Sequence, residues 1–246
     1  MRRNLPNPVL LEICVTSLDY ARAAERGGAS RIELCTNLDC GGVTPSIRLM
    51  QAARKALRIP IHVLIRPRPG DFVYSAREFK AMRQAIQNAK DLKMDGIVLG
   101  ILDQNFQIDI LRTRELVELA HPLPITFHRA FDDTPSPQAS LEAVIQSGAK
   151  RLLTSGGPLR GSERFSILRR LVENAGDRLR VMPGGGIKPA NVMQIVRATG
   201  AREVHASLLT PTLREPTDGP VRKSQVEKYY RRVLRVASIL GSMTSR

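Results

Sequence analysis

The chain has 246 residues, of which 42% are hydrophobic and 25% are charged, a composition typical of soluble globular proteins. No run approaches the roughly 18–20 consecutive apolar residues that a membrane helix needs, so we expect no membrane partner. The three cysteines include no CxxC pair, which argues against a disulfide framework and against a preformed zinc knuckle.

The formal net charge is +15, from 38 Lys and Arg against 23 Asp and Glu. Such a surplus attracts polyanions, which makes nucleic-acid binding one function to consider. The basic residues are spread along the chain, however, and aromatic residues amount to only 4% with no tryptophan. Because side chains for stacking bases are scarce, we interpret the charge as a diffuse basic surface and expect no nucleic-acid partner.

The N-terminal sequence MRRNLPNPVLLEICV contains two prolines and a glutamate within its apolar run, which makes it a poor signal peptide. We therefore expect residues 1–8 to be a disordered lead-in and the protein to be cytoplasmic.

Eight short apolar runs follow one another, each with a longer amphipathic stretch behind it. The predicted strands are 9–15, 31–35, 61–66, 96–100, 124–128, 151–155, 180–184 and 203–207. The predicted helices are 17–28, 46–57, 76–93, 108–120, 136–148, 162–176, 188–200 and 221–240.

Several helices carry start and stop signals, such as Ser17 before the first helix and Gly27-Gly28 at its end. Ser136-Pro137 similarly opens the fifth helix and Gly148 ends it. Parallel strands need helical crossovers, and eight such units in about 240 residues predict one (β/α)8 TIM barrel over residues 1–246. Residues 208–220 are predicted to be a long loop before the last helix.

A doubly wound open sheet is the alternative fold. It would require a glycine-rich fingerprint directly after the first strand, and VTSLD occupies that position.

Polar residues recur within the first two predicted strands. Glu12 and Cys14 are two residues apart and so share one face, and Glu33 and Cys35 repeat the pattern. An unpaired buried carboxylate is costly, so each glutamate needs a polar partner. Either a site at the C-terminal ends of the strands or a structural ion pair inside the barrel meets this need.

Further polar residues and glycines follow the later strands, where barrel enzymes keep their sites. The glycines after the seventh strand let backbone N–H groups face an anion, and the Pro189-Ala190-Asn191 helix start adds a partial positive charge. The candidate ligand-binding residues are Arg66, Arg129, Asp132, Ser155, Gly184, Gly185, Gly186 and His205.

These residues suggest a barrel mouth that binds a small anionic, in particular a phosphorylated, metabolite. Arg66, Arg129 and the glycines would contact the anion, and Glu12, Glu33 and His128 are candidates for acid–base catalysis. No organic cofactor is expected.

The cysteines suggest a metal site instead. Cys14 and Cys35 lie close together if the first two strands pair in parallel, and two thiolates can hold Cu(I) in low coordination. Cys40, in the loop TNLDCGG, is either a third ligand or an exposed thiol.

The motifs LEICVTSLDYARAAERGGASRIELCTNL, GGVTPS, IRPRPGDFVYS, TFHRAFD, LLTSGG, MPGGGI and VHAS resemble, in order and spacing, the copper homeostasis protein CutC family. The resemblance covers roughly residues 10–207. It implies a TIM barrel, a cytoplasmic location and copper handling, with Cu(I) bound by Cys14 and Cys35, whereas Cys40 matches no family motif.

Copper handling is therefore our first functional prediction, and an enzyme acting on an anionic metabolite is the alternative. Copper handling would not itself require TFHRAFD, the two glutamates or the glycine-rich turn. A homo-oligomer assembled through the outer helices is also expected.

Overall fold

The computed structural model describes residues 8–157, 161–213 and 221–243. Eight strands alternate with eight helices. The strands are β1 Leu10–Val15, β2 Arg31–Leu34, β3 Ile61–Leu64, β4 Gly96–Leu99, β5 Ile125–Phe127, β6 Arg151–Thr154, β7 Arg180–Pro183 and β8 Glu203–Ala206. The helices are α1 Leu18–Arg26, α2 Ile47–Ala56, α3 Ala76–Asp91, α4 Ile110–Ala120, α5 Pro137–Gln146, α6 Gly161–Ala175, α7 Val192–Thr199 and α8 Lys223–Gly241.

The strands form a parallel sheet in the order β7-β6-β5-β4-β3-β2-β1-β8. The first strand pairs with the last, with Glu12 opposite His205, and β7 lies beside β8 to complete the ring. The predicted (β/α)8 barrel is confirmed. None of the described helices combines the length and the apolar character that crossing a membrane requires.

The predicted helix boundaries hold best where a capping residue marks them. The hydroxyl of Ser17 accepts from the backbone N–H of Tyr20, and α1 ends at Gly27. Ser136 caps α5, with proline in its first turn. These signals are local, so the sequence reveals them without tertiary information.

Seven of the eight strands, all but the first, end one or two residues earlier than predicted, and the residues after β3 and β5 belong to loops above the barrel. After β3, the backbone N–H of Arg66 donates to the hydroxyl of Thr44 at 2.8 Å, which ties the chain to the preceding loop. After β5, the ring of His128 accepts from the backbone N–H of Ala130 at 3.2 Å and caps a 3-10 turn over Arg129–Asp133.

The predicted start of α7 is wrong by four residues. The side chain of Asn191 accepts from the backbone N–H of Lys188 and donates to the carbonyl of Gly186, which holds 186–191 in a turn. The first helical residue is therefore Val192.

The predicted loop and lead-in are only partly described. Within the predicted loop 208–220, residues 211–213 form a 3-10 turn, and residues 214–220 lie outside the described part, as do residues 1–7 of the predicted lead-in.

The barrel interior is too narrow for a side chain on β4 at the position facing His62. A Cβ atom built on Gly96 would lie 2.4 Å from Nε2 of His62. We therefore expect Gly96→Ala to lower the free energy of unfolding by about 1–3 kcal/mol, the range for overpacked cores. Urea unfolding tests this against Gly241→Ala, where a Cβ meets nothing within 4 Å. Equal stabilities of the two variants would contradict the prediction.

Candidate site at the C-terminal mouth of the barrel

A cavity of about 720 Å³ opens at the C-terminal ends of the strands. Its lining includes eight of the residues predicted from the sequence: Cys14, Glu33, Arg66, His128, Arg129, Gly185, Gly186 and His205. The other predicted residues do not line it: Glu12, Cys35, Asp132, Ser155 and Gly184.

Two thiols meet at the floor of this cavity. The sulfur of Cys14 lies 3.3 Å from that of Cys35, and it lies 3.9 Å from Oε1 of Glu33, to which the thiol donates. Both cysteines are buried, with exposures of 2% and 0%. The hydrogen bond with Cys35 raises the pKa of Cys14 well above its ordinary value, and burial and the nearby carboxylates add to this effect. The Cys14 thiol is therefore protonated.

Cys40 lies apart from this pair. It ends the 3-10 turn Leu38–Cys40, and its thiol donates to the carbonyl of Asn37 at 3.0 Å. It lines the cavity, but among the described residues only Glu33 joins Cys14 and Cys35 in a group whose donor atoms all lie within 4.8 Å of one another.

A buried ion network lies beneath the thiols. Nε of Arg31 donates to Glu12 at 2.5 Å, and Nη2 of the same guanidinium donates to Glu203 at 2.7 Å. Arg151 reaches Glu203 from β6 at 2.9 Å. The structure thus places Glu12 in an interior ion pair, which is the alternative that the sequence left open.

His205 connects this network to the cavity. Its Nδ1 lies 2.7 Å from Glu12 and 3.6 Å from Glu33. Burial by itself would lower the pKa of His205, but the two carboxylates outweigh it and raise the pKa. The position of His205 between two carboxylates therefore favours its cationic form.

The two glutamates titrate in different ranges. Burial would raise the pKa of Glu12, but the hydrogen bond with His205 and the charge of Arg31 hold it well below its usual range. Burial raises the pKa of Glu33 to about 7, with His205 opposing and Glu12 reinforcing the shift. Of the two, only Glu33 can exchange a proton near neutral pH.

His128 lies in the cavity wall, directly after the last residue of β5. Its Nδ1 accepts a hydrogen bond, so the neutral ring carries its proton on Nε2, and this buried atom has no partner in the described part of the chain. Burial lowers the pKa of His128 to about 3, and the charge of Arg66 contributes. The side chain is thus neutral and has a hydrogen-bond donor at Nε2.

Arg66 is largely occupied by the loops around it. Its Nη1 donates to the carbonyls of Cys40 and Gly42, and its Nη2 donates to that of Gly70. The guanidinium also lies over the ring of Phe72, 4.8 Å from the centroid. Arg66 brings positive charge to the cavity while it fixes two loops.

Asp132 braces the loop instead of facing the cavity. It accepts from the hydroxyls of Thr154 at 2.5 Å and Ser155 at 2.7 Å, and from Nε of Arg129 at 2.8 Å. Asp132 and Ser155, both predicted to contact a ligand, therefore bind each other.

The glycine turn after β7 is also held by contacts within the protein. The carbonyls of Gly184 and Gly185 accept from Arg164. Gly185 has a φ of 72°, and a Cβ there would lie 3.1 Å from Ser155 and 3.6 Å from Cζ of Arg129. Glycine is needed here because the backbone is left-handed and packs closely against both side chains.

Sequence reasoning missed several residues of the site. Arg31 had a readable signal, since it precedes Glu33 by two residues and so shares its face. Phe72, Lys188 and Arg232 line the cavity from loops and from α8. Nothing in the sequence around these three residues predicts their place in the site. They reach the barrel mouth only because distant segments of the chain pack together there.

Comparisons with known proteins identify the family of the chain. The CutC family model matches residues 9–210. A CutC family protein of Chromobacterium violaceum is 48% identical over 80% of this chain and 80% of its own length. The human copper homeostasis protein cutC homolog is 45% identical over 82% of this chain and 74% of its own length.

A solved structure shows the same relationship. The crystal structure of a CutC protein from Streptococcus agalactiae superposes with a TM-score of 0.77 at 34% identity, covering 82% of this chain and 100% of the other. The chain is therefore a member of the CutC family.

Proposed function

We propose that the protein binds Cu(I) as cargo through Cys14 and Cys35 at the floor of the cavity. The observation that carries this proposal is the 3.3 Å contact between the two sulfur atoms, one on β1 and the other directly after the neighbouring strand β2. Thiolates are soft ligands that select Cu(I) over harder ions. The copper homeostasis name of the human relative supports the same assignment.

The surroundings fit a soft monovalent ion. Leu64 and Val98 form an apolar cluster with the two cysteines, and soft thiolate ligands in such surroundings suit Cu(I). A linear unit with metal–sulfur bonds of about 2.3 Å, the length of zinc–thiolate bonds, would span about 4.6 Å between sulfurs. Since the sulfurs lie 3.3 Å apart, binding requires either that they separate or that Glu33 acts as a third donor.

Copper would enter through the cavity. Cys14 lines it, whereas Cys35 lies under the loop after β2, where a Cβ on Gly42 would be 3.4 Å from its sulfur. Binding must also displace the thiol protons, because only thiolates ligate metals.

A competition titration with Cu(I) under anaerobic, reducing conditions tests the proposal. We expect one Cu(I) per wild-type chain, and an affinity at least about 100-fold lower for the Cys14→Ser/Cys35→Ser variant, since hydroxyls are poor Cu(I) ligands. Cys40→Ser is the matched control and should titrate like wild type. Unchanged stoichiometry and affinity in the double variant would refute the assignment.

We also propose a cytoplasmic location and a homo-oligomeric state. A reducing compartment keeps thiols free, as the copper site requires. Ile47 on α2 and Leu111 on α4, which are 48% and 77% exposed, are apolar side chains that association through the outer helices would cover. Light scattering coupled to size-exclusion chromatography tests the assembly, and a monomeric mass across micromolar concentrations would contradict it.

A further inference from the structure

The cavity is lined by more polar side chains than a two-thiol copper site needs. Ten buried side-chain nitrogen or oxygen atoms of the described residues have no hydrogen-bond partner. Four of them belong to side chains that line this one cavity. Three of these, in Arg66, His128 and Arg232, form no ion pair at that atom with any described residue, whereas Oε2 of Glu33 lies 3.6 Å from Nδ1 of His205. Because an unsatisfied buried polar atom costs about 1–3 kcal/mol, such a concentration points to a ligand.

His128 gives the clearest indication. It is 6% exposed, and its Nδ1 is already bonded to the loop backbone, so its only spare hydrogen-bonding atom is the Nε2–H donor. The tilted ring of Phe72 packs against it with centroids 4.9 Å apart, which fixes the imidazole plane. A rigid neutral donor of this kind suits a ligand oxygen that carries negative charge.

The charges around the cavity have the complementary sign. Arg66, Arg129, Lys188 and Arg232 line it, and Glu33 and Asp133 are the acidic residues among its lining. Arg129 keeps donors available, since its side chain is 53% exposed and uses Nε alone on Asp132. Its guanidinium lies beside the turn at Gly185, where a Cβ would be 3.6 Å from Cζ and 3.7 Å from Nη1.

We propose that the wall formed by His128, Arg129 and Gly185 binds the anionic group of a small organic oxyanion, a carboxylate or a phosphate monoester. The Nε2–H of His128 and the free Nη groups of Arg129 donate to it, and Arg66 and Arg232 add to the positive field. The rest of the molecule extends over the apolar side chains of Phe72 and Leu64 toward the thiols. This site is separate from the copper ligands.

Minimal probes, inorganic phosphate and malonate, test the proposal at fixed ionic strength. Long-range ¹H–¹⁵N spectra of the imidazoles should show a saturable shift of the His128 Nε2 signal with one or both probes. Isothermal titration should show binding weakened at least about 10-fold in Arg129→Gln and in His128→Asn, as expected for loss of a charge-assisted hydrogen bond. The asparagine retains an acceptor for the N–H of Ala130, so the loop keeps its cap.

The controls separate this site from a general basic surface and from copper. Arg180→Gln removes an exposed charge at the start of β7 and should bind the probes like wild type. Cys14→Ser/Cys35→Ser should also bind them like wild type, so failure of the copper proposal leaves this result unaffected. A response to phosphate only or to malonate only supports the proposal and identifies the ligand class. No shift with either probe, or equal weakening by Arg129→Gln and Arg180→Gln, would overturn it.

Discussion

Arg31→Met is expected to lower the free energy of unfolding by about 3–5 kcal/mol, the cost of breaking a buried ion pair from one side. The guanidinium is 6% exposed and serves two buried carboxylates, Glu12 at 2.5 Å and Glu203 at 2.7 Å. Methionine fills much of the same volume, so packing loss is small compared with the two carboxylates that lose their shared partner. Urea denaturation followed by circular dichroism measures the difference.

Arg178→Met provides the matched control. Arg178 also binds a carboxylate, that of Glu142 at 2.8 Å, but both side chains are about half exposed. Water replaces the lost partner there, so we expect little change in stability. Equal losses of unfolding free energy in the two variants would show that burial does not determine how much the Arg31 network stabilises the protein.

Acid sensitivity is the second large effect. His62 and His128 have pKa values lowered to about 3 by burial, so each stays neutral when folded and is protonated when unfolded. The stability that each contributes is complete above pH 6.5 and is lost as the pH falls toward 3. Glu33, with its pKa raised to about 7 by burial, acts in the opposite direction between pH 4.5 and 7.

These groups predict a two-part profile. Between pH 6.5 and 4.5 the unfolded state binds about one proton more than the folded state, so stability falls by about 1.4 kcal/mol per pH unit. Below pH 4.5 the opposing Glu33 no longer titrates and Glu12, whose pKa is lowered, adds to the histidines. The slope then increases to about 4 kcal/mol per pH unit.

A histidine variant tests this prediction. In His128→Asn, the slope between pH 6.5 and 4.5 should fall to nearly zero, because one of the two titrating histidines is gone. His121→Asn, at an exposed position in the turn after α4, is the control. If both variants keep the wild-type slope in chemical denaturation, burial of His128 does not govern the profile.

The sequence was most informative where the signal is local or periodic. Alternation along the first two strands predicted that Glu12 and Cys14, and likewise Glu33 and Cys35, share a face, and parallel pairing then brought the thiols into contact. The order of strands and helices was sufficient for the barrel. These features depend on neighbours in the chain or on adjacent strands.

Side-chain contacts between residues far apart in the chain could not be predicted in this way. Glu12 meets His205, which is 193 residues away, only because β1 pairs with β8. Asp132 was predicted to bind a ligand. It accepts a hydrogen bond from the hydroxyl of Ser155, which directly follows the neighbouring strand β6. Which polar groups satisfy one another and which stay free for a ligand is decided by ring closure and loop packing.

X-ray absorption at the copper edge of protein loaded with one Cu(I) per chain shows which atoms bind the ion. We expect a shell of two sulfur neighbours at about 2.3 Å, the usual length of metal–thiolate bonds, and loss of that shell in Cys14→Ser/Cys35→Ser. A shell of nitrogen and oxygen alone in the wild-type protein, or a sulfur shell that survives the double substitution, would contradict it.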